Sequence, residues 1–70
     1  MVAAPIVVHR PSAAGGRRVT AYRKILGLAH DDQELIEFLQ RAGLPDAETL
    51  IDDPGMVEWQ GGRAHQWDAA

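Results

Sequence analysis

The segment from Asp31 to Ala42 constrains the fold most, because it carries every signal of a single amphipathic helix. Asp31 is a predicted N-cap, and Glu34 follows three residues later, as in a capping box. The apolar residues recur at spacings of one, three, four and seven, which is one broad helical stripe: Leu35, Ile36, Phe38, Leu39 and Ala42. Gly43 is placed to end the helix in a left-handed conformation.

The segments before this helix are of strand type. Residues 6–9 are short and β-branched, and residues 11–16 have turn chemistry with two adjacent glycines. From residue 17 to 25, Val19, Ala21 and Ile25 alternate with polar residues, which indicates a half-buried strand and a hairpin around Gly15-Gly16. A helix over residues 20–28 fits the same apolar positions and remains the alternative.

The segments after the helix predict a second hairpin. Residues 56–60 and 63–67 have strand length and flank Gly61-Gly62, which is typical of a tight turn. The register is open: a two-residue loop places Trp59 and Trp67 on opposite faces, and a three-residue loop places them on one. Before this hairpin, Asp46 is a candidate cap for a single helical turn, with a loop as the alternative.

The sequence therefore predicts an α+β fold, in which a small antiparallel sheet of three or four strands (two hairpins) carries one amphipathic helix on one face. Residues 1–70 form a single small domain, with frayed ends at 1–4 and 68–70. A chain of 70 residues buries only about 60 % of its unfolded surface. It contains no cysteine, so a disulfide cannot reinforce this thin core.

The charge is divided between the two halves of the chain. Residues 1–30 contain five basic residues and no acid, whereas residues 31–70 contain ten acids and two arginines, a balance of −8. Halves of opposite charge can attract each other within the domain or attract a second copy head to tail.

The residues that could support catalysis are dispersed. His9, His30 and His65 lie in three separate elements, and no pair has the spacing of a helical zinc motif. The acidic pairs at 31–32 and 52–53 are accounted for by a helix cap and a turn, and Ser12 has no neighbouring base. We expect no enzyme, no metal site and no cofactor.

Nucleic-acid binding is one alternative. Its candidates are Arg17, Arg18, Arg23 and Lys24, which could hold phosphates while Tyr22 stacks on a base. An overall pI of about 5.4 argues against it, because nucleic-acid-binding domains usually have a dominant basic face.

Protein binding is the preferred prediction, as a small non-enzymatic interaction or regulatory module in the cytoplasm. The candidate anchors are Trp67, Tyr22, Trp59 and Arg63, because tryptophan, tyrosine and arginine dominate interface energetics. A core position is the alternative for both tryptophans, and Val57 and Trp59 are the core candidates of their segment. An open sheet edge at residues 6–9 or 63–67 would also pair with another strand, including one from a second copy. No segment is apolar over the roughly 20 residues that span a bilayer, so we expect no membrane partner.

Four segments carry a resemblance that covers most of the chain: GGRRVT at 15–20, ILGLA at 25–29, EFLQRAGL at 37–44 and VEWQGG at 57–62. They resemble segments of short uncharacterised proteins from high-GC actinomycetes. This resemblance implies no activity, cofactor or partner.

Overall fold

The computed structural model describes residues 4–67 and confirms the α+β class. Its elements are β1 (Ile6–Pro11), β2 (Arg17–Ala21), β3 (Lys24–Ala29), α1 (Asp32–Arg41), α2 (Ala47–Leu50) and β4 (Val57–Trp59). The four strands form one sheet in the order β3-β2-β1-β4. Of the predicted frayed ends, residues 1–3 and 68–70 lie outside the described residues.

The first three strands form two consecutive antiparallel hairpins. β1 pairs with β2 through Ile6↔Ala21 and Val8↔Val19, which confirms the hairpin around Gly15-Gly16. The strand prediction for residues 19–28 is also confirmed over the helical alternative. That segment is divided into two strands by a turn at residues 22–23, which the alternation did not indicate.

The predicted C-terminal hairpin is wrong, and the sheet is mixed rather than antiparallel. β4 pairs parallel to β1, through Ile6↔Val57 and Val8↔Trp59, and residues 63–67 form no strand. The physical reason is the helical connection after β3, which returns the chain to the end of the sheet where β1 begins. At Gly61 the backbone is left-handed, with φ 69°, and a Cβ there would collide with Arg10, so the chain needs glycine where it leaves β4.

Helix α1 begins and ends as predicted. The backbone N–H of Glu34 donates to Oδ1 of Asp31 at 2.8 Å, and Gly43 has a left-handed φ of 85°. The reciprocal half of the capping box is shifted by one residue, because the Glu34 carboxylate accepts from the backbone N–H of His30 at 2.7 Å. The single turn α2 is present, but Asp46 makes no side-chain cap and is itself left-handed, with φ 57°.

The core lies between α1 and one face of the sheet. Ile6 and Val8 of β1, Val19 of β2, and Leu35 and Leu39 of α1 are fully buried there. Side chains on the opposite side of the sheet alternate with these core positions. We call that side the outer face; its residues are Val7, His9, Arg18, Thr20, Ile25, Leu28 and Glu58.

Candidate functional site

Three large apolar side chains on or beside edge strand β3 are exposed to solvent. Tyr22 is 62 % exposed, Ile25 69 % and Leu28 44 %, and they are the exposed large hydrophobic residues of the described part of the chain. Fully burying an exposed aliphatic side chain contributes about 1.5–3 kcal/mol, and Ile25 and Leu28 would gain the part that corresponds to their exposed fractions. Their exposure on a small domain is a cost that a binding partner would remove.

The register of β3 explains why Ile25 and Leu28 share a face. Leu28 pairs with Arg18 and Ile25 pairs with Thr20, both on the outer face, and the register shifts between these pairs. The shift leaves Leu26 as the extra residue of a β-bulge, and Leu26 packs against the core. In a regular strand, residues three apart would point to opposite faces, so the bulge brings the two apolar side chains together.

Strand β3 also has a free edge. It is the terminal strand of the sheet and, within residues 4–67, β2 is its only neighbour. An edge strand presents unpaired backbone N–H and C=O groups that can pair with a further strand. The predicted open edges were wrong, because residues 6–9 lie inside the sheet and 63–67 are not a strand.

The turn between β2 and β3 is strained. Tyr22 has φ 52° and Arg23 has φ 69°, two consecutive left-handed residues that are neither Gly, Asn nor Asp. Two-residue hairpin turns need this conformation but strongly prefer Asn-Gly or Gly-Gly in it. Each such residue costs on the order of 1–2 kcal/mol, and strain of this kind is concentrated at functional sites.

Of the predicted nucleic-acid candidates, the structure brings Arg18, Arg23 and Lys24 to the surface. Arg18 lies on the outer face, and Arg23 and Lys24 lie at the start of β3 beside Tyr22. The prediction of Arg17 as a phosphate ligand is wrong, because Arg17 is 0 % exposed and a phosphate at the surface could not reach it. Strand alternation places it on the core side, opposite Ala29.

Arg17 instead fastens the C-terminal segment, residues 60–67, to the sheet. Nη1 donates to the carbonyls of Arg63 at 3.0 Å and Gln66 at 2.7 Å, and Nη2 donates to Gln60 at 2.6 Å. Nε donates to the carbonyl of His9 at 2.8 Å, within β1. Burial lowers the pKa of Arg17 because desolvation disfavours the cation, and the converging carbonyl dipoles stabilise it without a carboxylate.

Trp59 and Trp67, the interaction candidates for which the core was the alternative, both pack against the core, which confirms Trp59 as a core residue. Their rings meet edge to face with centroids 5.5 Å apart, and the Arg17 guanidinium lies 5.2 Å from the Trp59 ring. Trp59 Nε1 donates to the carbonyl of Ile51 at 3.3 Å. The side chain of Arg63 is exposed, whereas its carbonyl is a partner of Arg17.

His65 lies between two carboxylates and beside the Trp59 ring, and we call this arrangement the His65 clamp. His65 Nδ1 lies 2.8 Å from Oδ2 of Asp32, and its Nε2 lies 2.5 Å from Oδ1 of Asp52. Trp67 Nε1 donates to the other oxygen of Asp32 at 2.9 Å. The hydrogen bond to Asp52 is the largest cause that raises the pKa of His65, with Asp32 acting in the same direction.

Both ring nitrogens of His65 are engaged with carboxylates, and both act as donors when the imidazole is protonated. His9 bonds Thr20 at 3.1 Å and His30 bonds Glu34 at 2.9 Å, each in a separate part of the surface. No group of three or more His, Asp or Glu side chains within residues 4–67 is arranged so that it could hold a metal ion.

Ile25 and Leu28 were missed as surface residues by the sequence prediction, which treated Ile25 as half-buried. The positive-φ turn carries no glycine or asparagine, and nothing in the local pattern indicates the bulge at Leu26. The available signal was the phase of Ile25, which falls opposite Thr20 and out of step with Val19 and Ala21 once a two-residue turn is allowed at 22–23; the face of Leu28 depends on the bulge.

None of the helices in the described residues is long and apolar enough to cross a membrane. Comparison with protein families, with curated proteins and with solved structures found no match to this chain.

Proposed function

We propose that this protein is a small non-enzymatic interaction module that binds another protein strand along the free edge of β3. The observation that carries the proposal is the pair of exposed apolar side chains, Ile25 and Leu28, side by side on an edge strand. Addition of a strand would supply main-chain hydrogen bonds, and the outer-face side chains would supply specificity.

The strained turn supports the same surface. Tyr22 is exposed beside β3 and is held there in a left-handed conformation that glycine or asparagine would adopt at lower cost. Tyrosine is enriched among the residues that anchor interfaces, and Tyr22 precedes β3 by two residues.

The anchors proposed from the sequence alone contribute less to such a surface. Trp59 and Trp67 are engaged with Arg17, His65 and the core, so their removal would damage the fold before it affected a partner. The proposal therefore moves the binding surface from the tryptophans to β3. We also propose the cytoplasm as the compartment, which agrees with a chain that uses no cysteine.

The test is capture of cellular proteins on tagged baits that differ by one side chain. Wild type, Ile25→Lys and the control Ala13→Lys would be compared, because Ala13 is exposed in the β1–β2 turn. The proposal predicts one set of proteins on wild type and Ala13→Lys that is absent from Ile25→Lys. Identical captures on all three baits would contradict it.

A nuclease arm separates the alternative function. Nucleic-acid binding would now depend on Arg18, Arg23 and Lys24 around Tyr22, all exposed. Captured material that disappears after nuclease treatment, and that weakens steeply as salt rises, would favour that alternative over a protein strand.

A further inference from the structure

We propose that the strand which pairs with β3 is β3 of a second copy, in an antiparallel two-fold arrangement that joins two four-stranded sheets into one of eight strands. This inference rests on the proposed function, because it names the partner of the same edge. Dimers with a two-fold axis place the same patch on both subunits, so the patch must be complementary to itself.

The bulge makes β3 self-complementary in one register. Pairing Ile25 with Leu28 of the second copy repeats the same contact twice about the axis. It also sets Lys24 opposite Ala29, and Leu26 opposite Gly27. Ile25 and Leu28 both lie on the outer face, so each pair joins side chains that project to the same side of the sheet.

A shift by one residue breaks this agreement. Ile25 would then oppose Gly27 or Ala29, which pair with Val19 and Arg17 on the core side of the sheet. Residues directly opposite in an antiparallel ladder project to the same face, so both shifted registers mismatch the faces. Of these three registers, the proposed one keeps apolar against apolar on the outer face.

Charge at the two ends of the strand favours a second copy of this chain over an arbitrary strand. Arg23 and Lys24 are exposed at the beginning of β3, and Asp31 is exposed just after its end. Antiparallel pairing places the basic beginning of one strand beside the acidic end of the other, twice in each dimer. Opposite charges placed in this way favour association and fix its direction.

The interface is small. It consists of one pair of six-residue strands and four apolar side chains, two from each copy. Interfaces below about 1,200 Å² are typical of weak, transient contacts. Association is therefore expected at concentrations between about 10 µM and 1 mM rather than at nanomolar levels.

Sedimentation equilibrium of complementary variants tests the register. Ile25→Lys sets two lysines against Leu28, and Leu28→Glu sets two glutamates against Ile25, so each variant alone should dimerise about tenfold more weakly than wild type. An equimolar mixture would form a heterodimer in which the introduced lysine faces the introduced glutamate and the second pair, Ile25 with Leu28, is intact. The mixture should therefore recover most of the lost association.

Controls keep the outcomes distinct. Ala13→Lys should dimerise as wild type does, and thermal melts would confirm that every variant is folded. If wild type stays monomeric up to about 1 mM, the self-pairing is overturned. This is the result expected if the bulge protects the edge of β3 from pairing. A mixture no stronger than its components overturns the register. If the captured cellular proteins are nevertheless lost from Ile25→Lys, the proposed function stands without self-pairing.

Discussion

Replacing Arg17 with methionine should detach the C-terminal segment from the sheet or unfold the domain. Methionine keeps most of the apolar stem but removes every N–H that holds the carbonyls of Gln60, Arg63 and Gln66. No other described side chain donates to these three carbonyls.

The magnitude follows from the bonds lost and the cost of burying the cation. A hydrogen bond to a charged group contributes about 1.5–3 kcal/mol, so three bonds to residues 60–67 give roughly 4.5–9 kcal/mol. Desolvation of the guanidinium cancels several kcal/mol of that gain. The expected net loss is about 3–5 kcal/mol. A domain of 70 residues has a total stability of roughly 3.5–10 kcal/mol, so this loss is a large part of it.

Urea denaturation followed by two probes gives the measurement. Tryptophan fluorescence reports on Trp59 and Trp67, and far-ultraviolet circular dichroism reports on the helix and the sheet. If the segment detaches first, the fluorescence transition of Arg17→Met precedes the dichroism transition. The matched control is Arg18→Met on the same strand, where the side chain is exposed and the expected change is within about 0.5 kcal/mol.

The refuting result is a small effect. If Arg17→Met loses less than about 1 kcal/mol, the guanidinium does not hold residues 60–67 in place, because even one lost charged hydrogen bond would exceed that value. Arg17→Lys tests whether the planar guanidinium is required. The lysine ammonium has three donors on a flexible stem, so this variant should still be at least about 2 kcal/mol less stable than wild type.

Three further changes have defined outcomes. A raised pKa of His65 means that its clamp is complete below pH 6.5 and is lost as the pH rises through the folded-state value. In urea denaturation, the free energy of unfolding of wild type should therefore exceed that of His65→Gln by about 0.5–1 kcal/mol at pH 5.5, a value reduced by solvent screening of the exposed carboxylates, and by less at pH 9. An equal difference at the two pH values would contradict this. Gly27→Ala should lower the free energy of unfolding by about 1–3 kcal/mol, measured as a lower melting temperature. Gly27 has φ 149°, and the new Cβ would lie 2.9 Å from the Phe38 ring. The control is Gly15→Ala, which adds a Cβ at positive φ with no atom within 4 Å and so measures backbone strain without a steric clash. The double change Tyr22→Asn with Arg23→Gly should stabilise the hairpin by about 1–3 kcal/mol in the same assay, and unchanged or lower stability would show that the turn is not strained.

Local signals predicted the parts of the fold that local physics determines. Helix α1 has its cap, stripe and stop within one short segment, and the β1–β2 hairpin has its turn glycines between two β-branched runs. The strand preference over residues 19–28 was correct for the same reason, because alternation at Val19 and Ala21 reflects burial on one face.

The errors arose where long-range contacts determine the structure. The segment 63–67 has strand-like residues, but Arg17, 46 residues before Arg63, binds its carbonyls and excludes a hairpin. Arg17 and Arg18 are adjacent and chemically identical, so sequence alone could not tell the buried one from the exposed one. The bulge at Leu26, which exposes Ile25 beside Leu28, depends on pairing with β2 rather than on any local motif.

The central claim is that the free edge of β3, with Ile25 and Leu28, is the surface through which this protein binds. The most direct measurement is a series of ¹H–¹⁵N correlation spectra of wild type recorded over rising protein concentration. The account predicts shift changes that are confined to residues 22–31 and absent from Ile25→Lys. Spectra that do not change with concentration would contradict self-pairing. Changes centred on Trp59 and Trp67 would contradict the placement of the surface on β3.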